Sequence, residues 1–501
     1  MTSRTSRALA AFLLVVAAVA VAIYLWARPS PAPQHMILFV GDGMQLEHEV
    51  AASRYLYGRD QALAWHAFPY RSYVATWDVT TYNNFAEVRD EAPFRDAGFR
   101  PEIGFDPAEG GGQPSPLVRS EVADAYFVPP DRKVFATDSA SSATALATGY
   151  KTDDGNIAWL PGDPENGKLK TIAERLRDER GFAIGVVTTV PFTHATPASF
   201  VSHNVHRNNY HQIAEEIVSS VRPDVVIGGG HPDHRPTYMS QASLEALRRD
   251  PSWVLVERKA GSEGGQRLLE AARKASAEGK RLFGLFGGPE GNFESPVPVD
   301  APGAPAVNRA TVENPLLEQA TIAALEVLSR DPDGFFALIE QGDIDWANHD
   351  HDYARMIGTV WDLDRAVRAA AAFVDREGDD VTWQNTLVIV TADHANSYMR
   401  LDPGKRLGAG DLPAQEGAGK GVKYPGGEVS YGWRGHTNEL VTLAARGAGA
   451  GFFAQYEGSW YPCTRILDNT QVFSVLAEAG RLAARSPLRP TVTRPSSCPE
   501  N

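Results

Sequence analysis

The sequence predicts an α/β fold with a mostly parallel central sheet covered by helices on both faces. From residue 35 onward, short apolar runs alternate with amphipathic stretches, the rhythm of buried strands and the helices that cover them. Hydrophobic residues are 43% against 22% charged, enough for a large core and too polar for a multi-pass membrane protein. Acids and histidines also gather where the apolar runs end, as they do in the crevice of an open α/β sheet.

Residues 1–34 stand outside this rhythm. Residues 8–27 form an unbroken apolar run of 20 residues, with Arg4 and Arg7 before it and Arg28 after it. About 20 residues cross the hydrocarbon core, whereas the core of a cleaved signal is usually about 7–15. An uncleaved anchor with its amino end in the cytoplasm is therefore expected ahead of a cleaved signal peptide. Either places the rest outside the cytoplasm, in the periplasm or at the cell surface if the source is bacterial. Cys463 and Cys498 could pair in such a compartment or remain separate thiols.

Residues 35–501 read as one domain, since no break in composition demands a second and no repeat is visible. Runs 36–40, 184–188, 225–227, 335–339, 387–390 and 440–443 are expected to be strands; 171–180, 212–220, 267–278 and 316–330 are expected to be helices. Two segments fit poorly. Residues 78–133 mix charges, prolines and three consecutive glycines, and 401–434 are rich in glycine, with Lys405, Lys420 and Lys423. Both are expected as surface insertions near strand ends.

With 48 Lys plus Arg against 62 Asp plus Glu, the net charge is −14, which argues against binding a nucleic-acid backbone. Two cysteines are too few for a disulfide scaffold or a cysteine zinc module. Thirteen histidines beside those carboxylates leave metal ligation by oxygen and nitrogen open.

Asp42 follows the first run, Glu340 closes the 335–339 run with Asp345 and His349 close behind, Asp393 and His394 follow 387–390, and His436 precedes 440–443. Each alone has a bland reading. Asp42 could be a helix cap, Asp345 and His349 a surface pair one turn apart, and His351 a rival to His349 in a polar turn. Their joint placement changes the balance. The block at 137–149 runs small residues into a helix whose first turn could cap itself with Asp138 or hold a phosphate beside Ser139. No nucleophile elbow and no P-loop pattern is present.

These blocks, GDGM (41–44), TDSASSATALATGYKT (137–152), HATPASFVSHNVHR (194–207), EQGDIDWANH (340–349), TADHA (391–395) and GHT (435–437), resemble those of the alkaline phosphatase family in kind and order. The resemblance implies a three-layer α/β/α sandwich with about ten strands in the sheet, two Zn²⁺ and one Mg²⁺, and hydrolysis of small-molecule phosphate monoesters; a homodimer stays open. It makes Ser139 the nucleophile, Arg207 the phosphate-binding arginine and Asp138 the residue that orients it. It gives Asp345, His349 and His436 to one zinc, and Asp42, Asp393 and His394 to the other. Thr196 and Glu340 complete a magnesium site with Asp42, and His349 is preferred to His351.

Two positions depart from a common family pattern: His194 stands where some members have Asp, and Trp346 where some have Lys. A lysine contact to phosphate is then missing, and His194 either favours Zn²⁺ or Co²⁺ at the third site or stands just outside it, with the second expected. Trp346 is expected at the rim. A phosphodiesterase or sulfatase of the same superfamily is disfavoured because Ser139, Thr196 and Glu340 are all present. A catalytically dead tethered domain is disfavoured because no metal position is lost.

Overall fold

The computed structural model describes residues 33–110, 136–417, 419–483, 488–494 and 498. The expected apolar run at 8–27 and most of the second half of the 78–133 segment lie outside them. Among the described residues no helix is long and apolar enough to cross a membrane.

Ten strands form the main sheet: β1 (His35–Gly41), β2 (Tyr70–Ala75), β3 (Ala183–Pro191), β4 (Val225–Gly229), β5 (Trp253–Glu257), β6 (Arg281–Leu285), β7 (Phe335–Gln341), β8 (Thr386–Thr391), β9 (Val441–Gly447) and β10 (Ile466–Asp468). Their order is β10-β2-β9-β8-β1-β7-β3-β4-β6-β5. All neighbours pair in parallel except β9, which is antiparallel to both β8 and β2. Every residue of β1, β3, β7 and β8 is buried, as strands covered on both faces must be.

The helices that matter for the site are α1 (Leu46–Tyr57), α2 (Val79–Val88), α3 (Ser139–Thr148), α4 (Ile172–Arg180), α5 (Ala195–Val201), α6 (Gly264–Glu278), α7 (Leu317–Leu328), α8 (Asp343–His349), α9 (Tyr353–Val374) and α10 (Thr470–Ala479). α6, α7, α9 and α1 pack in succession on one face; α3, α4, α5 and α10 pack on the other. This is the expected three-layer sandwich. α3 is buried along its whole length, which its Ala, Ser and Thr side chains permit by letting backbones approach closely.

Most expected elements are present. The 212–220 helix begins as Tyr210–Glu215 and widens into a π-helical stretch over Glu216–Val221. Strands β2, β5, β6 and β10 carry weaker signals than the continuous apolar runs: β2 is interrupted by Arg71 and Ser72, β5 is an edge strand, β6 opens on Arg281 and β10 has three residues.

The described part of 78–133 does more than decorate the surface. Tyr82, Phe85, Phe99, Ile103 and Phe105 form a second apolar cluster with Trp77, Trp460, Tyr461 and Leu488. The C-terminal tail closes over it: Gly98 N–H donates to Arg489 O at 2.8 Å and Thr491 N–H to Phe99 O at 2.7 Å. Cys463 and Cys498 form a disulfide across 35 residues, a loop whose closure contributes about 3–4 kcal/mol in the chain-entropy account. In the 401–434 segment, Met399–Leu401 pairs antiparallel with Val429–Tyr431.

Replacing Cys498 by Ser should release the tail, lower the thermal midpoint by several degrees and expose the amides of Gly98 and Thr491 to hydrogen exchange. Unchanged protection at both amides would show that the backbone contacts hold the tail without the disulfide.

Candidate metal centre and phosphate site

The site is assembled at the carboxyl edge of the sheet. β1 runs directly into Asp42, which is fully buried. Gly43 follows with φ of 66°, and a Cβ there would stand 2.8 Å from Asp345 Oδ1, so only glycine allows this turn so near the carboxylate. The Gly43 N–H donates to Asp393 Oδ1 at 3.0 Å. β7 ends with Glu340 and Gln341 and leads into α8, which carries Asp345, Trp346 and His349. Asp393 and His394 follow β8. His436 comes before its strand rather than after it, and it reaches the same edge because β9 runs antiparallel to β8.

His349 Nε2 lies 3.2 Å from Asp345 Oδ2, and His436 Nε2 lies 3.4 Å from Asp345 Oδ1. His394 Nε2 is 3.4 Å from both Asp42 Oδ1 and Asp393 Oδ2. Donor atoms of Asp42, Asp393 and His394 fall within 4.8 Å of one another, as do those of Asp345, His394 and His436. His394 thus stands between the two sets, its ring stacked on His436 at 3.6 Å, and His349 joins through Asp345. The Nδ1 atoms of His349, His436 and His394 face the carbonyls of Arg434, Thr137 and Ala395. A proton on each Nδ1 satisfies the carbonyl and leaves Nε2 with its lone pair turned inward.

The donor set fits cations. Both oxygens of Asp42, Asp393 Oδ2, Glu340 Oε1 and Thr196 Oγ1 are buried and make no hydrogen bond, a costly state for acceptors unless a positive charge meets them. Without one, burial and neighbouring carboxylates push Asp42 well above the usual range, Glu340 up to about 8 and Asp393 to about 6. In the same cation-free state burial favours the neutral form of Asp345, but His349, itself raised against its own burial to about 9 by Asp345 and so protonated at Nε2 as well, outweighs it with His436 and holds Asp345 well below that range.

A second group of candidate residues rests on α3. Asp138 caps it, accepting the Ser141 N–H at 2.9 Å, worth about 1 kcal/mol for such a cap. Ser139 Oγ lies 3.1 Å from His394 Nε2. Asp138 Oδ2 accepts from Arg207 Nη1 at 2.8 Å; burial opposes the charge on Asp138, and Arg207 overcomes it, taking the carboxyl down to about 2. Two anchors hold the approach to Arg207: its N–H donates to Gly155 O at 2.8 Å, and His203 sits 3.2 Å from Glu174 and 3.0 Å from Glu216.

His194 is buried with no partner for Nδ1, and burial and then Arg207 lower it to about 3, so the imidazole is neutral. Trp346 meets its ring edge-on at 5.8 Å and is half-buried. His351 turns away: it stacks on Tyr431 at 4.5 Å, and its Nε2 donates to Trp433 O at 2.6 Å. Thr188, hydrogen-bonded to Glu340 Oε2, and Asn396, whose amide donates to Asp345 Oδ1, were missed in the sequence. Thr188 closes an expected strand and could have been suspected for that; Asn396 carried no signal.

The alkaline phosphatase family pattern matches residues 120–412. The chain is 32% identical to streptomycin-6-phosphate phosphatase of Streptomyces griseus over 63% of its own length and 74% of that protein's. The chain belongs to the alkaline phosphatase family. It is also 31% identical to alkaline phosphatase 3 of Bacillus subtilis over 56% of its own length and 54% of that protein's, so it spans about half the length of that relative. The alkaline phosphatase of Thermus thermophilus shares the fold, with a TM-score of 0.60 and 22% identity over 93% of this chain and 95% of that one. Family membership and the clustered donors together make this a multi-metal centre.

Removing divalent metals should destabilise the protein more at pH 8 than at pH 5. Asp42, Asp393 and Glu340 have folded values above the unfolded ones of roughly 4. The contribution of these three groups to the stability of the metal-free protein is therefore fully present below roughly pH 4 and lost as pH rises through about 6–8, and bound cations cancel that loss. Thermal unfolding across this range, with and without a chelator, checks it; a chelated protein with a flat profile contradicts it.

Proposed function

We propose that the protein hydrolyses small-molecule phosphate monoesters to an alcohol and inorganic phosphate through a phosphoserine on Ser139. The observation that carries this reading is Ser139 Oγ at the start of α3, 3.1 Å from His394 Nε2 and next in sequence to the Asp138–Arg207 pair.

Asp345, His349 and His436 would hold one Zn²⁺, Asp42, Asp393 and His394 the second, and Asp42, Thr196 and Glu340 a Mg²⁺. When bound, such metals lower the pKa of a nearby hydroxyl and neutralise charge on the leaving oxygen. Ser139 attacks phosphorus and releases the alcohol, and water then cleaves the phosphoserine, so two displacements give net retention. Arg207, held by Asp138, offers its planar fork to two phosphoryl oxygens, with the N–H groups of the first turn of α3 beside it. A chain of net charge −14 repels anionic esters at long range, so their attraction is local. The Cys463–Cys498 disulfide supports an extracytoplasmic location, with residues 8–27 as anchor or signal.

Elemental analysis together with hydrolysis rates for a phosphate monoester, a diester and a sulfate ester tests the function; a preference for the diester or sulfate rejects it. Ser139→Ala should keep its metals and lose turnover by about 10³-fold or more, as loss of a nucleophile does. Acid quenching with labelled substrate should trap phosphoserine in the wild type alone. Equal trapping in both would remove Ser139 from that role.

His194 is assigned to a place beside the Mg²⁺ site rather than within its ligand set, because Mg²⁺ prefers oxygen. His194→Asp should add negative charge, tighten Mg²⁺ binding and make activity more dependent on added Mg²⁺. Metal stoichiometry with Zn²⁺ and Mg²⁺ both supplied decides: loss of a third Zn²⁺ or a Co²⁺ from the variant would make His194 a direct ligand.

A further inference from the structure

Behind the Asp138–Arg207 pair lies a ring of polar side chains that none of these steps uses. Asp138 Oδ2 is taken by Arg207. Its Oδ1 accepts the Ser141 N–H at 2.9 Å and stands 2.8 Å from Ser141 Oγ. The same hydroxyl lies 2.7 Å from Asp78 Oδ2 and 2.8 Å from Thr137 Oγ1. Asp78 is the N-cap of α2, its Oδ1 accepting the Thr81 N–H at 2.7 Å. Asp154 closes the ring: its Oδ1 accepts the Asp138 N–H at 3.0 Å, and its own N–H donates to Thr80 Oγ1 at 3.0 Å. Oxygens of Asp78, Asp138 and Asp154 lie within 4.8 Å of one another.

We propose that Asp78, Ser141 and Asp154 are positioning residues that fix the Asp138 carboxylate and, through it, the Arg207 guanidinium that receives the phosphoryl group. This rests on the phosphomonoesterase reading. A bidentate fork discriminates by angle, and one ion pair leaves its carboxylate free to turn. Here Asp138 Oδ1 is held by the amide and hydroxyl of Ser141, and the Asp138 backbone is held by Asp154.

The three carboxylates differ in kind from those at the metal centre. Asp78 and Asp138 have both oxygens engaged by N–H or O–H donors, and a guanidinium already neutralises Asp138. No orphaned acceptor asks for a cation, as both oxygens of Asp42 do. Proton count points the same way. Ser141 Oγ has one hydrogen but faces oxygens of both Asp78 and Asp138, so full satisfaction requires a proton held on the ring. Burial, then the charges of Asp78 and Asp138, push Asp154 up to about 9, which supplies that proton and leaves the charge on Asp138, where Arg207 uses it. Asp78 comes from the segment expected to be a surface insertion, which is thereby tied to the phosphate site.

The test uses the metal-loaded full chain carrying Ser141→Ala, Asp78→Ala or Asp154→Ala, each of which removes a group that holds the Asp138 carboxylate or its backbone. Inhibition by inorganic phosphate and kcat/KM for a monoester should each weaken about tenfold, the size expected for losing a hydrogen bond to a charged group. In an Asp138→Ala background the same substitutions should add nothing, since they act through Asp138. Unchanged phosphate inhibition in the single variants, or an equal further loss in the Asp138→Ala background, would overturn the assignment. If Ser141→Ala fails to fold, Asp154→Ala, which removes the acceptor of the Asp138 N–H, decides by the same readouts. A wild type without monoesterase activity would reject the proposed function instead; protection of wild type and variants against thermal unfolding by inorganic phosphate then decides the positioning, equal protection overturning it.

Discussion

Three adjacent strands, β8, β1 and β7, lead at their carboxyl ends into buried acids: Asp393, Asp42 and Glu340, with Asp345 one turn beyond. At about 4 Å and an effective dielectric near 20, two such charges repel by about 4 kcal/mol, before the cost of burying each is counted. The remaining features of the edge answer this constraint. Gly43 gives an N–H to Asp393 and space to Asp345. Three imidazoles are turned inward by carbonyls that face their outer nitrogens. Oxygens still unpaired after that fit metal cations.

The start of α3, proposed to receive phosphate, meets the same difficulty differently. Asp138 is matched by a guanidinium from its own chain, and the acids around it are hydrogen-bonded to hydroxyls and amides. One pocket of acids is thus left hungry for metal and the other is closed on itself, a few residues apart at the start of α3. The backbone explains much of the split: Asp42 follows a strand whose N–H groups belong to the sheet, and Asp393 receives N–H groups at Oδ1 alone, whereas Asp138 and Asp78 cap helices and receive the free N–H groups of a first turn.

Segments of irregular composition serve this arrangement. The described part of 78–133 packs its aromatics on Trp77 and Trp460, and the tail with Cys498 closes over it. In the 401–434 segment, Trp433 and Arg434 present carbonyls to His351 and His349. His351 therefore braces a loop beside the centre while His349 points into it.

The sequence by itself determined the layered α/β class, because short apolar runs that alternate with amphipathic helices fit strands covered on both faces. It also determined most of the candidate site, because Asp42, Glu340, Asp393 and His394 lie within a few residues of such runs, and strand direction forces those ends together. Pairing across long separations was beyond it. Whether Cys463 meets Cys498, that Asn396 supports Asp345, and that Asp78 and Asp154 stand behind Asp138 depend on contacts with no local pattern. The direction of β9 was decided by tertiary structure alone. A short apolar run reads the same forwards and backwards, and only its antiparallel place between β8 and β2 carries His436, which precedes the strand, to the edge where the other candidate ligands follow theirs.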